Sequence, residues 1–207
     1  MIKSINSKQT EIIKDILTLH CETPIELDPT YSKGNFYKEI PQPTYKFDIN
    51  PIEGVKKASA TNLPLENESI TTMMFDPPFL ASSGPSLLKE DNSNKITKRF
   101  SYFPSMEELY KFYKESLQEF YRILKPNGIL IFKCQDTVSS GKQYISHQFI
   151  LNEANKIGFY TKDIFILLAE SRLIGKNCEK QKHCRKFHSY FLVFQKKTPL
   201  VFLKEDV

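Results

Sequence analysis

Two strong helical patterns set between short apolar runs constrain this chain more than any other feature. Residues 105–124 and 144–157 repeat apolar positions at three- and four-residue spacing, the period of a helix that buries one face. Around them, the runs 24–27, 45–49, 70–75, 128–133, 159–168 and 190–195 have the length and the β-branched and aromatic content of strands. A third helical pattern, 8–19, carries Ile12, Ile13, Ile16, Leu17 and Leu19 and stops before Pro24. Strands that alternate with helices are joined by crossovers, and crossovers lay helices on both faces of a parallel sheet. The expected fold is therefore α/β, a doubly wound and mostly parallel sheet. The last two strand runs are separated by a basic, polar stretch without helical period, which predicts antiparallel pairing and an antiparallel C-terminal edge strand.

The boundaries carry their own signals. Ser105 followed by Glu108 is a capping box, and Lys125-Pro126-Asn127-Gly128 is a stop. Gly158 suits the left-handed residue that ends a helix. With 207 residues, 40% of them hydrophobic, the chain fits one domain, 1–207. The one long turn-rich insertion, 80–104, is a candidate substrate loop, and 176–188 is the densest basic segment. No apolar run approaches the roughly 20 residues of a membrane span, and residues 1–14 are polar, so a cytoplasmic protein without a membrane partner is expected. Cys21, Cys134, Cys178 and Cys184 are scattered, which suits free thiols in a reducing compartment. A net charge of +5 is compatible with a polyanionic partner without requiring one.

Chemistry concentrates in Asp76-Pro77-Pro78-Phe79, directly after the apolar run 70–75. An exocyclic amine on adenine or cytosine is a poor nucleophile because its lone pair is delocalised into the ring. A carboxylate at Asp76 and the carbonyl of Pro77 could accept its two N–H hydrogens and aim the nitrogen at an electrophilic methyl. Two prolines, Pro77 and Pro78, fix φ and remove donors so that the carbonyl faces the substrate, while Phe79 supplies an aromatic face on which an unstacked base could rest. The plainer account is an ordinary proline turn after a strand.

Other clusters are open to more than one account. Cys178, His183, Cys184 and His188 fall within eleven residues, yet adjacent His183 and Cys184 cannot easily share one tetrahedral ion, so no metal is expected. Lys176, Lys180, Lys182, Arg185 and Lys186 could track phosphates or could form a solvated loop. Lys95, Lys98 and Arg99 with Phe100, Tyr102 and Phe103 suit a nucleic-acid lid, or aromatics packed beneath their own loop.

Four blocks in this order resemble the class I S-adenosylmethionine-dependent methyltransferases, and within them the bacterial and phage-type DNA amino-methyltransferases. They are the stretch from Leu27-Asp28-Pro29-Thr30-Tyr31 through Gly34-Asn35-Phe36-Tyr37, then Asp76-Pro77-Pro78-Phe79, then Lys133-Cys134-Gln135-Asp136, then His183-Cys184-Arg185-Lys186-Phe187-His188. The resemblance implies a Rossmann-like fold, S-adenosylmethionine as cofactor and a nucleic-acid partner, DNA favoured over RNA. It assigns catalysis to Asp76, Pro77, Pro78 and Phe79. It assigns cofactor contacts to Asp28, Thr30, Tyr31 and Gly34 after the first strand, to Asp48 as acceptor for the ribose hydroxyls, to Asn62 and Leu63 beside the adenine ring, and to Asp76. Gln135, Asp136, Arg185 and His188 are substrate candidates. The family's glycine-rich loop is reduced here to Gly34, and Asp28 before Pro29 also reads as a plain Asx turn. RNA or another amine as substrate, or a silent cofactor-binding module, are the alternatives. The family's protein-glutamine members carry Asn where this chain has Asp76.

Overall fold

The computed structural model describes residues 1–79, 81, 103–169 and 182–197. In chain order the elements are β1 (Ile5–Asn6), α1 (Gln9–His20), β2 (Leu27–Asp28), a 3₁₀ turn (Asn35–Lys38), β3 (Tyr45–Asp48), β4 (Lys56–Lys57), β5 (Ile70–Phe75), α2 (Met106–Ile123), β6 (Leu124–Cys134), β7 (Thr137–Ser139), β8 (Lys142–Tyr144), α3 (Ser146–Ile157), β9 (Phe159–Leu168) and β10 (His188–Lys196). Eight strands form one sheet in the order β1-β9-β10-β6-β5-β2-β3-β4. All neighbours run parallel except β10, which is antiparallel to both β6 and β9.

The antiparallel C-terminal strand is present, but it sits inside the sheet, not at its edge. Phe191, Leu192, Val193 and Phe194 are all fully buried, and a strand buried on both faces needs a neighbour on each side to pair its backbone. β9 takes the outer position, with the two residues of β1 beyond it.

Side-chain alternation sorts the core into two layers. On one face, Met73 and Phe75 of β5, Leu130 and Phe132 of β6 and Leu192 and Phe194 of β10 pack against Leu109, Tyr113, Leu117 and Phe120 of α2 and Ile150 of α3. On the other, Met74, Ile129, Ile131, Phe191 and Val193 pack against Ile12, Ile13 and Ile16 of α1 and Phe36 and Tyr37 of the 3₁₀ turn. Because strand side chains alternate, the same period sends Asp28, Asp76 and Lys133 to the α1 face at the carboxyl ends of β2, β5 and β6. Open α/β sheets place their ligand crevices at such ends.

The helix boundaries agree with their sequence signals. The Ser105 hydroxyl accepts from the Glu108 amide at 3.2 Å, and Gly158 ends α3 at φ +118°. At the far end of α2, Lys125 to Gly128 bulges out of the β5–β6 ladder, with Asn127 at φ +64°. The short strands β1, β4, β7 and β8 escape sequence reading. For β7 and β8 the clue was Ser140-Gly141, whose φ values of +50° and +74° make the tight hairpin turn. Tyr144 accordingly closes β8 and lies outside α3.

Candidate active site

β5 leads straight into Asp76-Pro77-Pro78-Phe79, and three neighbouring elements grip this turn. From the β2 loop, the Thr30 hydroxyl accepts the Asp76 amide at 3.0 Å. From α2, the Tyr113 hydroxyl donates to the Pro78 carbonyl at 2.9 Å. From β6, Lys133 Nζ lies 3.4 Å from Asp76 Oδ2. Pro77 is buried, while Phe79 is half-buried at the lip of the site. Asp76 Oδ1 is buried and has no hydrogen-bond partner among the described residues. An unmet buried acceptor costs about 1–3 kcal/mol, so this oxygen is open to a donor that the described residues do not provide. Burial pushes the Asp76 carboxyl above the usual range, and the Lys133 ammonium draws it back.

Asp28 stands behind the turn. It has no exposed surface, and its oxygens accept the Tyr37 hydroxyl at 2.7 Å, the Thr30 amide at 2.8 Å and the Thr30 hydroxyl at 3.2 Å. Burial raises its carboxyl to about 7 against the pull of those donors, and the Asp76 charge adds to the rise. Asp28 therefore braces the loop from beneath, and its route to any ligand runs through Thr30.

The rest of the β2 loop is shaped by Gly34, at φ +64° on the threshold of the 3₁₀ turn. A Cβ there would collide with the Tyr31 ring, which stacks on Tyr37 with centroids 5.5 Å apart and donates to Gln42 Oε1. Asp48, at the carboxyl end of β3, accepts the Ser32 amide at 2.9 Å and the Asn50 amide at 2.8 Å. A carboxylate has about four lone-pair sites, so both oxygens retain capacity. Asn62 is exposed and Leu63 is buried, and the Leu63 amide is tied to Glu119 of α2 at 2.7 Å.

An open cleft of about 600 Å³ lies beside the turn. Phe79, Lys133, Gln135, Leu168 and Ser189 line it together with the N-terminal end of α1. It forms there because antiparallel β10 brings its N-terminal end against the carboxyl ends of β6 and β9.

The structure separates two sequence neighbours. Gln135 reaches the cleft and donates to the His188 carbonyl at 2.6 Å, whereas Asp136 turns to the opposite face. There it accepts the His147 amide at 3.2 Å and lies 2.8 Å from the ring Nδ1 of His147. Tyr190, 3.5 Å from Asp136, is bonded in turn to the His188 ring at 2.9 Å. Asp136 and the His188 ring thus hold β10 to the start of α3, on the α2–α3 face of the sheet. Arg185 is exposed. Among the described residues no group of three metal-ligating side chains occurs; Cys178 lies outside them, as does the candidate substrate loop 80–104 apart from residues 81, 103 and 104.

Sequence reading passed over Tyr37, Tyr113 and Lys133 as site residues. Buried tyrosines signal little beyond core, but Lys133 was detectable as a lone charge ending the apolar run 129–132.

The family model for N6/N4 methyltransferases, described as DNA methylase, matches residues 70–206. No curated protein matches the sequence significantly. Among solved structures, a methyltransferase dependent on S-adenosylmethionine from Thermotoga maritima is similar at 18% identity and a TM-score of 0.50, over 91% of this chain and 87% of that one; at this identity the likeness is one of fold. The cytosine-N4-specific PvuII DNA methyltransferase is similar at 15% identity and a TM-score of 0.48, over 69% of this chain and 48% of that chain. A candidate DNA modification methylase from Thermus thermophilus, complexed with S-adenosyl-L-methionine, is similar at 15% identity and a TM-score of 0.47, over 74% and 54%. This chain thus spans about half the length of those two proteins.

Proposed function

The chain belongs to the N6/N4 DNA methylase family, and on that premise we propose that it methylates an exocyclic amino nitrogen of a DNA base, adenine N6 or cytosine N4, with S-adenosylmethionine as methyl donor. The observation that carries this reading is the buried Oδ1 of Asp76, which has no partner among the described residues, beside a rigid Pro-Pro turn. S-adenosylmethionine supplies an electrophilic methyl group. The chain's own residues supply the geometry that makes a conjugated amine able to attack it.

Asp76 Oδ1 accepts one amino N–H and the Pro77 carbonyl the other. The Pro78 carbonyl is already engaged by Tyr113, which fixes the plane of the turn. Two acceptors on one amine draw its lone pair out of conjugation, and holding the nitrogen in line removes much of the entropic part of the barrier. Phe79 presents its ring to a base taken out of the duplex stack, next to a cleft of sufficient size. No covalent intermediate with the chain is required.

For the cofactor, the donor set at the carboxyl ends of β2 and β3 fits. Gly34 lets backbone come close, Tyr31 and Thr30 border the loop, and Asp48 retains lone pairs for a ribose diol. Asn62 and Leu63 follow β4 and edge the adenine position. Asp28 acts from behind, as a brace for Thr30 and hence for Asp76.

The test is transfer of labelled methyl from S-adenosylmethionine to duplex DNA, single-stranded DNA and total RNA, followed by digestion to nucleosides and mass analysis. N6-methyladenine or N4-methylcytosine in DNA, abolished in Asp76→Ala with cofactor binding largely retained, is the expected result. Label in RNA alone, or full activity in Asp76→Ala, would overturn the assignment.

A further inference from the structure

Lys133 takes no part in the chemistry just described, yet it occupies a position where a lysine is costly. Period-two alternation along β6 places it after Ile129 and Ile131 on the apolar α1 face, and its side chain is only 12% exposed. A buried ammonium needs a partner. The register of β5 with β6 sets Phe75 opposite Phe132, so the next residues, Asp76 and Lys133, meet at the sheet edge with Nζ 3.4 Å from Oδ2. Three rings surround the ammonium: Phe36 at 5.0 Å, Phe191 at 5.8 Å and Phe79 at 6.0 Å to the centroid. Such faces attract a cation and help to hold it beside Asp76.

We propose that Lys133 is a positioning residue for methyl transfer, one that clamps Oδ2 of Asp76 as a carboxylate so that Oδ1 is turned to the substrate amine. The inference rests on the amino-methylation reading and deepens it. A protonated Asp76 would offer a hydroxyl to the amine when an acceptor is required, and burial favours that protonated form. Among the described residues, the titratable groups that face Asp76 are Lys133 of β6, Asp28 of β2, Tyr37 of the 3₁₀ turn, Tyr113 of α2 and Cys134 of β6. Burial holds Tyr37, Tyr113 and Cys134 neutral, and any charge on Asp28 opposes ionisation of Asp76. Lys133 is the cation among these groups that favours the carboxylate.

The experiment compares the full-length chain with Lys133→Met and Lys133→Arg on the DNA that the wild type methylates. Lys133→Met should lower kcat about tenfold or more near neutral pH and move the acidic limb of the kcat–pH profile to higher pH by at least one unit. Raising the pH should recover part of the rate, and Lys133→Arg should restore the limb. Cofactor affinity and thermal midpoint should change little. A Lys133→Met profile that keeps the wild-type limb, or falls equally at every pH, would overturn the proposal and leave Lys133 a packing residue. The carboxyl of Asp76 is also titrated directly by carbon NMR in wild type and Lys133→Met; it should ionise at higher pH in the variant, and an unchanged titration would refute the clamp. If the wild type transfers no methyl to DNA, the functional reading fails, and the NMR titration still decides whether Lys133 holds Asp76 ionised.

Discussion

Thr30 and Asp76 are joined across two strands: the Thr30 hydroxyl accepts the Asp76 amide at 3.0 Å and donates its own hydrogen to Asp28 at 3.2 Å. One hydroxyl therefore links the loop after β2 to the Asp76-Pro77-Pro78-Phe79 turn after β5. It gives the proposed cofactor and substrate regions a common mechanical support.

Thr30→Val keeps the shape and removes this link. The half-buried Asp76 amide would lose its acceptor; because a fully buried one costs about 1–3 kcal/mol, urea denaturation should show a loss at the lower end of that range. Misplacement of the acceptor should also reduce methyl transfer about tenfold or more. Thr30→Ser should retain both properties; equal activity in Thr30→Val and wild type would show that the link is dispensable.

Tyr113→Phe deletes the hydroxyl that holds the Pro78 carbonyl and leaves the aromatic core of α2 in place. The expected stability loss is about 0.5–1.5 kcal/mol. Because the turn loses this tie to α2, kcat should fall more than cofactor affinity. A change confined to thermal midpoint would make Tyr113 purely structural.

The Asp28 carboxyl, raised to about 7 in the folded chain, makes stability depend on pH with a definite sign. The unfolded group ionises near 3.9, so between about pH 4 and pH 7 the folded state binds the extra proton. Stability from this group is fully present below pH 4 and declines until about pH 7. Asp28→Asn stays neutral and should lack that decline. Chemical denaturation from pH 4.5 to pH 8 should therefore show the variant gaining on the wild type as pH rises; parallel curves would refute the shift.

Gly34→Ala tests the loop threshold. At φ +64° a Cβ is strained by about 1–2 kcal/mol, and this one would also meet the Tyr31 ring. Displacement of Tyr31 should weaken S-adenosylmethionine binding measured by calorimetry. Unchanged affinity would separate the loop from the cofactor.

Much of the fold was legible because it rests on local periodicities. The 105–124 pattern and its Ser105 cap became α2, with a boundary one residue from expectation at each end, and the apolar run 70–75 became β5 without change. What was not legible depends on partners remote in sequence. β1 and β4 are two-residue strands that exist only by pairing with β9 and β3, and no dipeptide carries such a signal. The interior placement of β10 follows from apolar burial on both its faces, a property shared by strands at several positions in such sheets.

The sequence by itself determined the alternation of strands and helices, the rigid turn Asp76-Pro77-Pro78-Phe79 and its place at a strand end, because proline geometry and side-chain period act over a few residues. Only the tertiary structure decided which groups meet. Sheet register set Lys133 beside Asp76, strand order set Thr30 beneath its amide, and alternation across the sheet sent Gln135 to the cleft and Asp136 away from it. Those juxtapositions arise from hydrogen-bond ladders between segments tens of residues apart, a constraint that no local pattern along the chain encodes.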